Sequence, residues 1–160
     1  MSLDINSLTA QLIDKLKDKG WMISCAESCT GGMIMAQLTS IAGSSAVVDR
    51  GFVTYSNQAK SELLDVQDAT LKLYGAVSAE TAYEMVTGAS DKAGGCAAIA
   101  VTGIAGPDGG SAEKPVGTVW IATSTPDAGV LCKSYLFEGD RQAVREHTLA
   151  SALVQILSQL

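Results

Sequence analysis

The chain is expected to fold as an α/β protein: a three-layer α/β/α sandwich around a mixed, mostly parallel sheet of about five or six strands. Three observations lead there. Amphipathic helical stripes alternate along the chain with short apolar runs. The run from Cys96 to Thr102 (CAAIAVT) is continuously apolar, as a strand covered on both faces requires. Two further strand-like runs flank the turn signal Pro126-Asp127-Ala128-Gly129 and precede a last amphipathic helix, which reads as an antiparallel hairpin with a closing helix. The 160 residues read as a single domain with no internal repeat, linker or low-complexity tail.

Each element has a local reason. Residues 3–19 place Ile5, Leu8, Leu12 and Leu16 three or four apart, with Asp14, Lys15, Lys17 and Asp18 on other faces, and Gly20 follows as a left-handed cap. Residues 21–26 (WMISCA) read as a buried strand. Thr30-Gly31-Gly32 opens a second helix through Met33, Met35, Ala36 and Leu38, which Gly43-Ser44-Ser45 ends. Val47-Val48 and Gly51 to Tyr55 form a second strand region. Residues 57–74 predict one or two short helices with Leu63, Leu64 and Leu71 inward. Ser78 is a good N-cap for a helix over 79–92, whose Ala82, Met85, Val86 and Ala89 make an apolar stripe. The longest loop spans 103–115. Strands over 116–123 and 130–137 follow, then a helix over 140–160 with Val144, Leu149, Ala152, Leu153, Ile156 and Leu157 inward.

Composition narrows the function. Hydrophobic residues make up 47% and charged residues 18%, enough apolar side chains for a core and too many for a disordered chain. With 17 acidic against 11 basic residues the net charge is −6, which opposes a nucleic-acid-coating role but leaves room for one local anion site. No apolar run approaches the ~20 residues of a membrane span, so no membrane role is expected. The N-terminal residues lack the basic start and apolar run of a signal peptide. The four cysteines contain no C-x-x-C pair, and reduced thiols in the cytoplasm are the expectation. One histidine and no paired ligands speak against a structural metal, and no cofactor is expected.

Three polar clusters fall at strand ends, where open α/β sheets bind ligands. The first is Ala26 to Gly32 (AESCTGG), whose hydroxyls and glycines sit at a helix start that can hold an anion or an oxyanion, or can be a plain N-cap. The second is Tyr55 to Lys60 (YSNQAK). A lysine there is ordinarily a solvated surface residue; facing Ser28, and neutral, it becomes a base for a serine nucleophile. The third is the glycine-rich loop, which has neither the Walker nor the dinucleotide spacing. Long glycine loops in compact domains tend to be functional, closing on a ligand or supplying backbone donors. His147 lies inside the last helix, which argues against Ser/His/Asp and Cys/His schemes. Cys29 reads as a buried structural thiol, and Asp140 as a helix cap near Glu138.

The strings AESCTGG (26–32), GFVTYSNQAK (51–60), GAVS (75–78) and GIAGPDGGSAEKPVGTVW (103–120) together resemble the CinA C-terminal-domain family, which includes nicotinamide-nucleotide amidases. The resemblance runs from the first helix to Arg141 and covers the amidase domain alone. It implies hydrolysis of the carboxamide of nicotinamide mononucleotide to nicotinate mononucleotide and ammonia, by a Ser/Lys amidase without a metal. Carried onto this chain, it implies Ser28 as nucleophile, Lys60 as base and Tyr55 as a residue orienting one of them. Thr30, Gly31, Thr102, Gly103 and Arg141 are then expected to bind substrate, with Arg141 on the phosphate. Thr102 stands where many relatives have serine, a departure that keeps a hydroxyl. Ser45 is a further pocket hydroxyl and an alternative nucleophile. The rival reading is a non-catalytic nucleotide-binding paralogue, and the presence of both Ser28 and Lys60 favours the enzyme. A homo-oligomer is compatible with the sequence.

Overall fold

The structure is a computed structural model that describes residues 4–160. Leu3, the first residue of the expected first helix, lies outside the described residues. Helix α1 (Ile5–Lys19) starts on an Asp4 N-cap and ends at Gly20, whose φ of 68° directs its N–H back to Leu16 O and Lys17 O. Strand β1 (Ile23–Glu27) leads into α2 (Met33–Thr39), a short 3-10 turn and β2 (Val48–Val53). Helices α3 (Asn57–Leu64), α4 (Asp68–Tyr74) and α5 (Ala79–Lys92) follow. Then come β3 (Ala97–Gly103), β4 (Thr118–Thr125), β5 (Gly129–Leu136) and α6 (Arg141–Leu157). Ser78 caps α5 by accepting from Thr81 N, as its position predicts.

The sheet has five strands in the order β2-β1-β3-β4-β5. Pairs β1–β2 and β1–β3 are parallel, and β3–β4 and β4–β5 are antiparallel. Four strands therefore run one way and β4 alone opposes them. Strand β4 begins two residues later than expected, because the glycine loop continues to Gly117. There the Gly117 N–H donates to Ile104 O.

Alternating side chains divide the core into two layers. On one face Ile23, Cys25, Ile99, Val101, Val119 and Ile121 pack against α1, α2 and α6. On the other face Ala26, Ala98, Ala100 and Ala122 pack against Leu64, Val66 and the α5 stripe Ala82, Met85, Val86 and Ala89. The three-layer α/β/α arrangement follows. The alanine face lets α5 approach the sheet closely, and Ser24 Oγ donates to Ala89 O at 2.9 Å across that gap. Leu63, expected inward, is 44% exposed; only Leu64 of that pair turns to the core, since adjacent helical positions point about 100° apart. No helix among the described residues is long and apolar enough to cross a membrane.

The C-terminal ends of β1, β2 and β3 lie together at one edge of the sheet. Backbone bonds extend the ladders past the strand ends there: Ser28 N to Val101 O at 3.1 Å and Thr54 N to Glu27 O at 2.8 Å. Helix α3, which starts just beyond β2, is packed against α5 at Gly88. A Cβ on Gly88 would lie 2.1 Å from Leu64 O. Gly88→Ala should therefore force α3 off α5 and cost about 2 kcal/mol or more of unfolding free energy, measured by urea denaturation.

Candidate active site

Lys60 sits on the first turns of α3, where Ser56 caps the helix by accepting from Ala59 N at 3.0 Å. The residue is 1% exposed and is among the largest fully buried side chains. Its Nζ lies 3.1 Å from Ser28 Oγ and 3.0 Å from Thr54 O. Burial disfavours the ammonium form and lowers the Lys60 pKa from the ordinary lysine value. The structure thus joins a serine hydroxyl at the end of β1 to an amine pushed towards neutrality.

Ser28 opens a tight turn between β1 and α2. Gly31 N donates to Ser28 O at 3.1 Å, and Gly31 and Gly32 both take positive φ, 57° and 110°. Gly32 stands at the N-cap of α2 with no side-chain acceptor to offer. Glu27 fills that role from the strand. Its carboxylate accepts from Thr30 Oγ1 at 2.6 Å, Ile34 N at 2.8 Å and Met35 N at 3.0 Å. The helix start, read from sequence either as an anion or oxyanion site or as a plain cap, is therefore capped by the protein's own buried carboxylate. Glu27 was not singled out as a site residue; its signal was an acid preceding a glycine pair in a helix with no acidic first turn.

A cavity of about 290 Å³ opens over Ser28 and Lys60. Its wall includes Tyr55, Asn57, Ala76, Val77, Thr102, Gly103 and Arg141, and among the described residues no carboxylate lines it. Arg141, the first residue of α6, donates to Gly106 O at 2.8 Å and to Tyr55 Oη at 3.1 Å. It forms no ion pair among the described residues, where the pairs are Lys19–Asp127, Arg50–Asp49 and Lys92–Asp65. Thr102 is buried and donates to Ala76 O at 2.7 Å, tying the GAVS segment to the end of β3.

Several expected residues sit elsewhere. Tyr55 is 64% exposed at the cavity mouth, and its partner is Arg141 rather than Ser28 or Lys60; the Thr54 carbonyl holds Lys60 instead. Thr30 is fully buried with its hydroxyl on Glu27, so it offers no group to the cavity. Gly31 also lies off the cavity wall. Ser45 is exposed in the 3-10 turn before β2, and β2 separates it from the Ser28–Lys60 end. Six residues of parallel strand span roughly 20 Å, which removes Ser45 as a rival nucleophile. The Cys29 thiol borders the cavity, but burial pushes its pKa up to about 11, keeping it protonated. His147 is exposed, with its ring tilted against Phe137. Asn57, Ala76 and Val77 also line the cavity; Asn57 lies in the YSNQAK cluster and Ala76 and Val77 in the GAVS string, but no chemistry of their own marks them as site residues.

Backbone donors are also sorted by the fold. Ile104 N, in the glycine-rich loop, is bonded to Thr118 O at 2.9 Å, and Ser28 N to Val101 O. Strand alternation then turns the Gly103 N–H to the β1 side, where β1 has given way to the Ser28 turn. A Cβ on Gly103 would lie 2.6 Å from Val119 Cγ2, so the position has no room for a side chain.

Residues 5–160 match the CinA C-terminal domain family. The chain belongs to that family. This CinA domain is 56% identical over 141 residues to the nicotinamide-nucleotide amidohydrolase PncC of Enterobacter agglomerans, covering 88% of the chain and 86% of that protein. It is 46% identical to the protein of the same name from Escherichia coli K12, covering 98% of the chain and 94% of the relative. Among solved structures, the competence/damage inducible protein CihA of Agrobacterium tumefaciens superposes with a TM-score of 0.94 at 49% identity, covering 99% of this chain and 98% of that one.

The Glu27 carboxylate carries three hydrogen bonds in a buried position, and bonds to charged groups contribute more than neutral ones. Glu27→Gln should lower the unfolding free energy by roughly 2 kcal/mol. Thermal denaturation read by circular dichroism checks this; an unchanged midpoint would show that α2 is held without its carboxylate cap.

Proposed function

We propose that this CinA domain hydrolyses the carboxamide of nicotinamide mononucleotide to nicotinate mononucleotide and ammonia, with Ser28 as nucleophile and Lys60 as base. The observation that carries the reading is the 3.1 Å contact between Lys60 Nζ and Ser28 Oγ on the wall of a cavity without a carboxylate. The names of the amidohydrolase relatives supply the substrate class.

The neutral Lys60 amine keeps an N–H on Thr54 O and takes the Ser28 proton through its lone pair. The alkoxide attacks the carboxamide carbon. Negative charge then develops on the carboxamide oxygen, and the Gly103 N–H is our candidate donor to it; one such donor lowers the barrier by about 3–4 kcal/mol. The Lys60 ammonium passes its proton to the departing nitrogen, which leaves as ammonia. Water, deprotonated by the regenerated amine, attacks the acyl carbon, and Ser28 recovers its proton as nicotinate mononucleotide is released. The pyridinium of the substrate adds to burial in keeping Lys60 neutral.

Arg141 and the acid-free wall supply the local attraction that a chain of net charge −6 otherwise lacks. Arg141 is the residue assigned to the phosphate. Its present partners, a carbonyl and a phenol, are neutral and can be exchanged for a dianion.

Ser28→Ala should abolish ammonia release, with product followed by mass spectrometry, while Ser45→Ala tracks the unsubstituted protein. Lys60→Arg should be nearly inactive although it keeps the charge, because guanidinium does not deprotonate at neutral pH. The sign of the pH dependence follows from the lowered Lys60 pKa: kcat/KM should rise with pH through a value below the ordinary lysine range of about 10.4. A profile that falls with pH, or Lys60→Arg with substantial activity, would remove lysine as the base. A folded protein that binds the mononucleotide and releases no ammonia would be the non-catalytic paralogue.

Arg141→Ala should raise KM for the mononucleotide by tenfold or more, as loss of a charge-assisted contact implies. The phosphate-free riboside should be affected far less. Equal losses on both substrates would assign Arg141 a structural part at the cavity mouth.

A further inference from the structure

We propose that Arg145 is a positioning residue of the reaction: its guanidinium fixes the peptide planes that follow Ser28 and so holds the nucleophile's turn in shape. The inference rests on the reading of Ser28 as nucleophile and adds a residue that neither lines the cavity nor hydrogen-bonds Ser28 Oγ.

Arg145 lies one helical turn after Arg141, and the i, i+4 spacing brings both to the same face of α6. The two arginines reach different targets. Arg141 enters the cavity wall, whereas Arg145 passes behind it to the Ser28 turn. Its Nε donates to Cys29 O at 3.2 Å and its Nη2 donates to Thr30 O at 3.1 Å. Nη1 donates to Gln142 Oε1 at 3.5 Å. No carboxylate pairs with it among the described residues, and its charge falls on two successive peptide carbonyls.

Two carbonyls held by one planar fork lose their freedom to rotate relative to each other. Because each peptide is planar, fixing a C=O also fixes the N–H on the opposite side of the same unit. Holding Thr30 O therefore aims the Gly31 N–H, and that N–H is the donor to Ser28 O at 3.1 Å. Holding Cys29 O aims the Thr30 N–H in the same way. The chain of contacts runs from guanidinium to peptide to nucleophile residue. Gly31 permits it through its φ of 57°, and the guanidinium lies close by, since a Cβ there would be in ordinary contact with Arg145 Nη2 at 3.9 Å.

Glu27 holds the same turn from the other side through Thr30 Oγ1 and the first free N–H groups of α2. A cation on the carbonyls and an anion on the donors thus brace a five-residue segment with two glycines, which would otherwise have wide conformational freedom. The glycines allow the turn, and the two charges select one conformation of it.

The test is Arg145→Lys alongside Arg145→Gln, with Arg141→Ala and Ser28→Ala as references. Lysine keeps the charge and loses the fork. In both Arg145 variants kcat should fall by about tenfold to a hundredfold, the effect of a small misplacement of a reacting group, with KM little changed. Arg141→Ala should show the opposite split. Added guanidinium ion should restore part of the Arg145→Gln activity. Independently of turnover, hydrogen exchange by NMR should show the Gly31 amide exchanging at least tenfold faster in Arg145→Lys, with the α6 amides unchanged. Turnover and Gly31 exchange equal to those of the unsubstituted protein in both variants would overturn the proposal. So would a rise in KM that accounts for the whole loss, or failure of both variants to fold, which would make Arg145 a stability residue. Retained activity in Ser28→Ala would instead sink the nucleophile reading, whatever the Arg145 variants do.

Discussion

A lysine amine that is 1% exposed sets the terms for the rest of the molecule. An ammonium ion without water or a counter-charge is unstable in a protein interior, so the side chain must give up its charge or find acceptors. Among the described residues Lys60 has two acceptors, Thr54 O and Ser28 Oγ, and no carboxylate partner. The fold has to deliver both to the same point. Thr54 comes from the end of β2 and Ser28 from the end of β1, and parallel pairing of those strands makes the two ends adjacent. Helix α3 brings the amine itself and is seated by the close approach of Leu64 to Gly88.

Charge is arranged locally against the global balance. The chain is acidic overall, yet the cavity wall holds Lys60 and Arg141 and no acid. Glu27, next to Ser28 in the chain, turns its carboxylate the other way, into the start of α2. That orientation answers two needs together. It caps a helix whose N-cap glycine cannot cap itself, and it keeps a negative charge off the lysine, where it would favour the protonated amine.

The two faces of the sheet have different tasks. The side chains facing α1 and α6 are large and branched and make the deeper apolar layer. The fully buried apolar side chains facing α5 from β1, β3 and β4 are alanines, which shorten the distance between helix and sheet. Reversal of β4 and the β4–β5 hairpin then return the chain so that α6 begins beside the strand ends. Arg141 and Arg145 reach the cavity mouth and the Ser28 turn from that start.

The helices, the strands and most of their boundaries were legible in the sequence because their causes are local. Apolar period, Gly20 and the Ser78 cap act within a few residues, and so does the unbroken apolar character that makes the Cys96 to Thr102 run a strand covered on both faces. The family resemblance carried by the motif strings pointed to Ser28, Lys60, Thr102, Gly103 and Arg141, all of which border the cavity. They did not distinguish these from Thr30, whose hydroxyl turns to Glu27, or from Ser45, which stands a strand's length away. Orientation of a side chain depends on what the rest of the chain places beside it. The Lys60–Ser28 contact joins residues 32 apart and the Arg145–Cys29 contact joins residues 116 apart. No local pattern encodes such a distance, because it exists only once helices pack on both faces of the sheet.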